Sequence, residues 1–171
     1  MTDAPGTPVV RPATVADAEL IAGLIEELNA HQREDTGHVT AAVVRRDGFG
    51  PRPEFTVLVA ELDGAAVGYV LFHPTWSSEY GQRGLYLYDL FVRAGARGRG
   101  VGRALMAAVA RVAADQGRTF LWWCSKEWNE DAQAFYRALG ASEEPIRAHA
   151  IFGPPLARLL EAGATPAPDG T

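Results

Sequence analysis

One stretch of the chain, from Leu85 to Met106, restricts the fold more than any other. It reads LYLYDLFV, then RAGARGRGVG, then RALM. The first part has the apolar, β-rich composition of a buried strand, the second is a turn rich in glycine and arginine, and the third resumes a helical pattern. We therefore predict a strand, a turn and the start of a helix in this order.

The turn has the properties of a phosphate-binding loop. Glycines at a helix N-terminus let a ligand approach the backbone, and the first-turn N–H groups and the helix dipole favour an anion. The arginines add positive charge suited to several phosphates, although a glycine-rich turn with solvated arginines remains an alternative. The predicted contacts are Arg97, Gly98, Arg99, Gly100, Val101, Gly102 and Arg103.

Two common nucleotide motifs do not fit this loop. A P-loop requires Lys followed by Ser or Thr after its last glycine, whereas Gly102 is followed by Arg103 and Ala104. A dinucleotide fingerprint requires G-x-G-x-x-G, and Gly98, Gly100 and Gly102 have a different spacing. The ligand must be of another kind.

The pattern R-x-x-G-x-G, formed by Arg97, Gly100 and Gly102, resembles the loop with which GCN5-related N-acetyltransferases (GNATs) hold the pyrophosphate of acetyl-coenzyme A. A second motif of that family, N-x-x-A-x-x-F-Y-x-x-x-G-A, is matched between Asn129 and Ala141. The matching positions are Asn129, Ala132, Phe135, Tyr136 and Gly140. Two separated motifs in the expected order make the resemblance specific.

Within that family the chain resembles the diamine (spermidine/spermine) and thialysine acetyltransferases over roughly residues 9 to 152. The shared segments are R-P-A-T-x-x-D at Arg11 to Asp17, D-G-F-G at Asp47 to Gly50, L-Y-L-x-D-x-F-V at Leu85 to Val92, and W-N-E at Trp128 to Glu130. Where that subfamily carries a glutamate before the strand aspartate, this chain has Tyr88.

The resemblance implies an α/β fold in which helices flank a mixed, mostly antiparallel sheet with splayed central strands. We predict a flexible lead at residues 1–8, one domain at residues 9–160 and a disordered tail at residues 161–171. Three further expectations concern strands: Thr119 to Ser125 is buried on both faces, His73 to Ser78 leaves the sheet, and Ala148 to Phe152 is a last strand.

Site residues follow from the same resemblance. Tyr136 is the general acid near the sulfur, and the backbone of Leu90, Phe91 and Val92 holds the pantetheine, with Asn129 and Ala132 as further cofactor contacts. Asp89 is predicted to take the amine proton with the help of Tyr88, while a purely structural carboxylate at a strand bulge is the alternative. The predicted acceptor contacts are His31, Gln32, Asp89 and Trp76. His31 and Trp76 do not come from the resemblance: Trp76 is a candidate for a cation–π contact to an amine, and an exposed helix-end histidine is the alternative for His31.

Composition excludes several other classes. The net charge of −5 argues against nucleic-acid binding, and no apolar stretch is long enough to span a membrane. Cys124 is the only cysteine, which excludes an intramolecular disulfide and favours the cytoplasm. The four histidines lack metal-ligand spacing, so we predict no metal.

The resulting hypothesis is an acetyl-coenzyme A-dependent N-acetyltransferase that transfers acetyl directly to a primary amine of a small diamine-like or amino-acid-like molecule. Direct transfer is expected because Cys124 does not begin a helix, where a thiol nucleophile would be activated. The alternatives are a catalytically weak acetyl-coenzyme A-binding module and a protein or aminoglycoside N-acetyltransferase. A homodimer is expected by resemblance.

Overall fold

The computed structural model describes residues 6–163, which fall into two compact units, residues 6–133 and 134–163. The strands are β1 Val9–Pro12, β2 Thr56–Leu62, β3 Ala65–Ser77, β4 Gln82–Val92 and β5 Phe120–Trp123. The helices are α1 Ala18–Gln32, α2 Ala41–Phe49, α3 Val101–Asp115, α4 Glu130–Ala138 and α5 Pro154–Gly163. Helix α4 begins in the first unit and ends in the second.

The first unit is built on one five-stranded sheet with the order β1-β2-β3-β4-β5. Strands β1 to β4 pair antiparallel, and β5 joins β4 in parallel. Apolar residues of β2, β3 and β4 on one face, among them Tyr69, Leu71 and Phe91, form a buried core with α1 and α2. Helix α3 contacts β2, β3 and β4 and is absent from that core, so it covers the opposite face. The mixed, mostly antiparallel sheet flanked by helices is confirmed.

Local sequence signals set several element boundaries. Thr14 and Asp17 form the capping box in front of α1, and Thr40 caps α2 by accepting a hydrogen bond from the Val43 N–H at 3.3 Å. Asp63 and Gly64 both have positive φ, 54° and 79°, which matches the primed turn that a two-residue hairpin favours.

Strand β3 is longer than predicted, and the expectation that His73 to Ser78 leaves the sheet is wrong. Residues His73 to Ser77 pair with Tyr86 to Gln82 of β4. Pairing with β2 ends at Thr56 and Phe72, so beyond this point β3 has a neighbour on one side only. Pro74 is tolerated there because an edge position does not require its missing N–H.

Strand β5 is shorter and more exposed than predicted. It covers only Phe120–Trp123, and Trp122 is 46% exposed, so burial on both faces is wrong. Within the described residues β5 is the last strand of the sheet, which leaves one of its edges without a strand neighbour.

The second unit contains the end of α4, an irregular segment and α5. The strand predicted at Ala148 to Phe152 is wrong, because residues 141–152 have no regular structure. A short β-rich run becomes a strand only where it forms a ladder with a neighbour, and none forms there. Glu161 to Gly163, predicted as part of a disordered tail, are the last residues of α5.

Residues 1–5 of the predicted flexible lead and residues 164–171 of the predicted tail lie outside the described residues. The single domain over residues 9–160 stays a prediction. Over residues 6–163, no helix has the length and apolar character needed to cross a membrane.

Candidate functional site

Strands β4 and β5 stop pairing halfway along β4. Their parallel register runs from Gly84 and Phe120 to Leu87 and Trp123, where β5 ends. The rest of β4, from Tyr88 to Val92, has β3 on one side and, among residues 6–163, no strand on the other. Backbone N–H and C=O groups along this segment therefore face an opening that an amide-bearing ligand can fill as an added strand.

The opening contains the three residues predicted to hold a pantetheine arm. Leu90, Phe91 and Val92 pair with Val70, Tyr69 and Gly68 of β3 on their other side. Since β3 satisfies only half of the backbone groups of an inner strand, the remaining half faces the opening. Of the three residues, Val92 already uses its carbonyl as acceptor for Arg97 Nε at 3.0 Å.

A bulge lies where the opening begins. Leu71 pairs with Asp89 and Phe72 with Leu87, so Tyr88 is one extra residue in β4. In a regular strand, residues three positions apart point to opposite faces. The bulge changes this parity, so that Tyr86 and Asp89 both lie on the face of the sheet that α1 covers further along.

Asp89 is half-buried and accepts a hydrogen bond from a tyrosine of the core. The hydroxyl of the fully buried Tyr69 donates to Asp89 Oδ2 at 3.0 Å. Burial raises the pKa of the Asp89 carboxyl, the charge of Glu34 adds to the rise, and the Tyr69 hydrogen bond opposes it. Burial and the Asp89 charge together hold the pKa of Tyr69 far above its usual value, so Tyr69 stays a donor.

The predicted acceptor residues at the end of α1 lie in a small polar cluster. His31 is exposed and meets Trp128 edge-on, with the ring centroids 6.3 Å apart, and Arg33 lies 5.7 Å from the same ring. Lys126 Nζ forms an ion pair with Glu34 Oε1 at 2.5 Å. Gln32 is half-buried. Sequence reasoning missed the Lys126–Glu34 pair, because no spacing rule links a helix end to a loop after β5.

Four rings that sequence reasoning did not combine lie in contact beside Asp89. We call His73, Tyr86, Tyr88 and Trp122 the ring cluster. His73 stacks on Tyr88 with centroids 4.9 Å apart, and Tyr86 contacts the other three members at 5.0 to 5.7 Å. Burial and a hydrogen bond with Cys124 raise the pKa of Tyr86 to about 12.

Trp76, the fourth predicted acceptor contact, lies elsewhere. It pairs with Arg83 near the end of the β3–β4 hairpin, five residues along β3 from Leu71, the residue opposite Asp89. At about 3.3 Å per residue this is a separation of roughly 17 Å. The structure therefore does not bring Trp76 together with Asp89.

The glycine-rich loop has the open backbone that a phosphate requires. Gly98 and Gly100 have positive φ, 73° and 82°, and a Cβ added at either would meet no atom within 4 Å. The Gly100 carbonyl accepts the first hydrogen bond of α3, from the Ala104 N–H at 3.0 Å, and Val101 is buried beneath the loop. First-turn N–H groups have no acceptor within their own helix, so this end of α3 suits the phosphates of a coenzyme.

The arginines of the loop differ in what they contact. Arg97 Nε donates to the Val92 carbonyl at 3.0 Å and so ties the loop to the end of β4. Arg99 forms an exposed ion pair with Asp63 at 2.9 Å, which a bound anion would compete with. Arg103 is exposed on the first turn of α3.

Asn129 has a structural role that its motif did not reveal. Its Oδ1 accepts a hydrogen bond from the Ala132 N–H at 3.2 Å, which caps the start of α4. Ala132 itself is half-buried.

Tyr136 belongs to the second unit. It is half-buried, and its ring lies 5.4 Å from that of Phe135. Burial raises the pKa of Tyr136 to about 12, which keeps the phenol protonated at neutral pH.

Comparison with known proteins agrees with this geometry. The model of the acetyltransferase (GNAT) family matches residues 21–141. The thialysine N-epsilon-acetyltransferase of Bos taurus is 35% identical over 144 residues, which are 79% of this chain and 84% of that protein.

Among solved structures, an integron cassette protein from the mobile metagenome of V. cholerae has a TM-score of 0.76 at 21% identity, over 91% of this chain and 98% of that one. An aminoglycoside N-acetyltransferase in complex with CoA has a TM-score of 0.70 at 22% identity, over 88% and 99%. These two likenesses concern the fold alone.

The environment of Asp89 predicts an unusual pH dependence of stability. The pKa of the Asp89 carboxyl is higher in the folded chain than in the unfolded chain. The stability that this shift contributes to the folded state is therefore fully present below the unfolded pKa and is lost as the pH rises through the folded pKa. Asp89→Asn should therefore raise the thermal unfolding midpoint at pH 7, by about 2–4 °C if the change is about 1 kcal/mol, and the gain should shrink toward low pH.

Asp17→Asn is the matched control with the opposite sign. Its carboxylate is held by Arg11 at 2.8 Å, which keeps the pKa of Asp17 well below its usual value, so this variant should lose stability at pH 7. A midpoint at pH 7 that falls in Asp89→Asn would contradict our description of Asp89.

Proposed function

The chain belongs to the GNAT family of acetyltransferases, and from this premise we propose that it transfers the acetyl group of acetyl-coenzyme A directly to a primary amine of a small molecule. One observation carries the proposal. Strand β4 carries a half-buried carboxylate at a bulge and an open backbone edge, and the loop that follows it leads into the glycine-lined start of α3. These are the three parts that amine acetylation by a phosphate-bearing thioester requires.

The cofactor contacts are the first part of the proposal. Gly98, Gly100 and the first turn of α3 would receive the pyrophosphate, with positive charge from Arg97, Arg99 and Arg103. The backbone of Leu90, Phe91 and Val92 would pair with the pantetheine amides. Val101, Gly102, Asn129 and Ala132 complete the predicted set, although Asn129 acts first as a helix cap. Bound acetyl-coenzyme A would supply the thioester carbonyl.

Asp89 is proposed to prepare the amine. An ammonium is not a nucleophile, so its proton must leave before nitrogen attacks the carbonyl carbon. The raised pKa of the Asp89 carboxyl makes it a better proton acceptor than an ordinary aspartate. The proton passes to Asp89 through water, and Tyr88 at the bulge lines the path.

Tyr136 is proposed to complete the reaction. As the new C–N bond forms and the C–S bond breaks, the departing thiolate takes a proton from the Tyr136 hydroxyl, and the proton that the attacking nitrogen must still lose passes through water to the Tyr136 phenolate. A phenol with a pKa of about 12 is protonated at every pH at which the protein works, so its proton is present when the thiolate leaves.

The acceptor is proposed to bind between Asp89 and the end of α1, with contacts to His31 and Gln32. The cluster there combines the carboxylates of Asp89 and Glu34 with the cations of Arg33 and Lys126. The relative named for thialysine makes an amino-acid-like acceptor one candidate and a diamine another. Trp76, at the far end of the hairpin, is not part of this set.

The experiment that tests the function is thiol release from acetyl-coenzyme A with a panel of amines, with the products identified by mass spectrometry. The panel contains diamines, spermidine, lysine, thialysine, an aminoglycoside and a peptide. We expect an amine-dependent rate and an acetylated small amine. Thiol release that no amine accelerates would contradict the proposal.

A second function has one observation in its favour. Tyr88 takes the place of the subfamily glutamate and is 60% exposed, so this position offers no carboxylate base. The protein would then be an acetyl-coenzyme A-binding module without turnover. Cofactor affinity with no acetylation of any panel member is the result that this alternative predicts.

Gly100→Val tests the phosphate site. The new side chain would occupy the open space in front of α3, so we expect affinity for coenzyme A, measured by calorimetry, to fall at least about tenfold, or about 1.4 kcal/mol. Gly81→Val is the control, because Gly81 has a similar φ of 61° and an equally open Cβ position but lies in the β3–β4 turn. Equal affinities of the two variants would exclude the loop as the phosphate site.

Tyr136→Phe tests the general acid. We expect the turnover number to fall about 10²-fold or more with little change in cofactor affinity, because only proton donation is lost. In the unchanged protein, Tyr136 should cause no loss of rate up to about pH 10, since its pKa of about 12 keeps it protonated. An undiminished maximal rate in the variant would leave Tyr136 with a packing role only.

We also propose that the protein is a cytoplasmic homodimer. The cytoplasm is favoured by the single cysteine. Support for the dimer comes from exposed apolar residues in the second unit, among them Phe152 at 76% and Leu160 at 70%.

Light scattering should give the mass of two chains for the unchanged protein, and Phe152→Asp should reduce this mass to that of one chain. Val15→Asp, a substitution at another exposed apolar position, should leave the mass unchanged. A mass of one chain for the unchanged protein would exclude the dimer.

A further inference from the structure

The ring cluster is an aromatic surface of which the proposed chemistry uses only Tyr88. Its members come from three neighbouring strands: His73 from β3, Tyr86 and Tyr88 from β4, and Trp122 from β5. Their rings touch one another, stacked at 27° between His73 and Tyr88 and near-perpendicular, at 77° and 75°, where Tyr86 meets Tyr88 and Trp122. Through these contacts the four rings form one continuous aromatic wall.

Much of this wall remains open to solvent. Tyr88 is 60% exposed and Trp122 46% exposed, although both have large apolar areas that water solvates poorly. The core that α1 and α2 form on this face includes Tyr69, Leu71 and Phe91 but no member of the ring cluster. Adjacent exposed aromatic rings are uncommon on a protein surface unless they bind something.

The wall adjoins the proposed amine site. His73 lies opposite Tyr86, two residues along β3 from Leu71, the residue opposite Asp89. The bulge at Tyr88 places Asp89 on the same face as these rings. A molecule whose ammonium lies at Asp89 therefore has the ring cluster directly beside it.

Charge indicates how many ammonium groups this surface accepts. In the part of the chain that the structure describes, no Lys, Arg or His nitrogen lies within 4 Å of the Asp89 carboxylate, whereas the nearby Glu34 is already neutralised by Lys126. One carboxylate without a cationic partner matches one ammonium. A second ammonium, as in a diamine or a polyamine, would have to lie against the wall without a carboxylate of its own.

We propose that the acceptor is a monoamine with an aromatic body, whose ammonium lies at Asp89 and whose ring packs on the ring cluster. This proposal rests on the proposed function and specifies its substrate class. Tyr88 directly precedes Asp89, and a strand rises about 3.3 Å per residue, so a linker of two carbon atoms between nitrogen and ring is suitable. Packing between aromatic rings would contribute about 0.5–1.5 kcal/mol beyond the burial of apolar area.

The test is calorimetric titration of the protein saturated with coenzyme A, which cannot transfer an acetyl group. The two probes are 2-phenylethylamine and 1,4-diaminobutane. We expect 2-phenylethylamine to bind at least about tenfold more tightly. Tyr88→Ala and Trp122→Ala should each weaken its binding about fivefold or more, and Trp122→Ala should leave the binding of the diamine nearly unchanged.

Trp76→Ala is the matched control, since Trp76 is a similarly exposed tryptophan of the same sheet, at 61%, that lies away from Asp89. It should leave both affinities unchanged. Replacement of Trp122 could disturb the packing of β5. Tyr88→Ala avoids this problem, because Tyr88 is exposed at the bulge of β4. Each variant is compared with the unchanged protein by its thermal midpoint.

Three results would overturn the inference: equal or tighter binding of the diamine, no effect of either ring variant, or no binding of 2-phenylethylamine. None of them affects the proposed function if the amine panel still shows transfer to thialysine or a diamine. Binding of 2-phenylethylamine that depends on the ring cluster, without thiol release from any amine, would instead contradict the function and leave the aromatic site in place.

Discussion

The hydrogen bond from Tyr69 to Asp89 is the interaction on which the site depends. Tyr69 is fully buried in the core that α1 and α2 form on the sheet, so its hydroxyl is held in a fixed position. That hydroxyl fixes one oxygen of Asp89 at the point where β4 bulges and loses its neighbour β5. A carboxylate that is partly buried and hydrogen-bonded through one oxygen can offer its other oxygen to a ligand. Partial burial also raises the pKa of this carboxyl, and the ionised form therefore lowers the stability of the folded chain.

The rest of the proposed site is made largely of backbone. The open edge of β4 and the glycine-lined start of α3 offer N–H groups whose positions the sheet and helix determine, so little ordering remains for a ligand to impose. Arg97 joins the two features by its hydrogen bond to the Val92 carbonyl, the last residue of β4. The acceptor side is built differently, from side chains of α1, β3, β4 and β5, and it is here that relatives can diverge in substrate while they share a fold.

The sequence allowed the central strand, loop and helix to be predicted, because glycine spacing and apolar periodicity act locally. A bulge at Asp89 entered the sequence analysis only as an alternative for that carboxylate, and nothing in Leu87, Tyr88 and Asp89 alone indicates that Tyr88 is the extra residue opposite β3. The segment that contains Pro74 was predicted to leave the sheet, because proline generally interrupts strands. It stays in the sheet because β3 is an edge strand at that point. Trp122 was expected in the core because of its apolar neighbours. It is exposed because β5 is the last strand of the sheet among the described residues. Contacts such as Lys126 with Glu34 join distant segments, and pairwise spacing does not reveal them.

The most direct test of the account is the pH dependence of kcat/KM for the preferred amine, compared between the unchanged protein and Asp89→Asn. Activity requires ionised Asp89, so the unchanged protein should lose activity as the pH falls through the raised pKa of this group, with a midpoint above the ordinary aspartate value of 3.8. Asp89→Asn should lack that acid limb and be slower by about 10²-fold or more. Equal rates with the same acid limb in both proteins would contradict the role of Asp89 and with it the proposed mechanism.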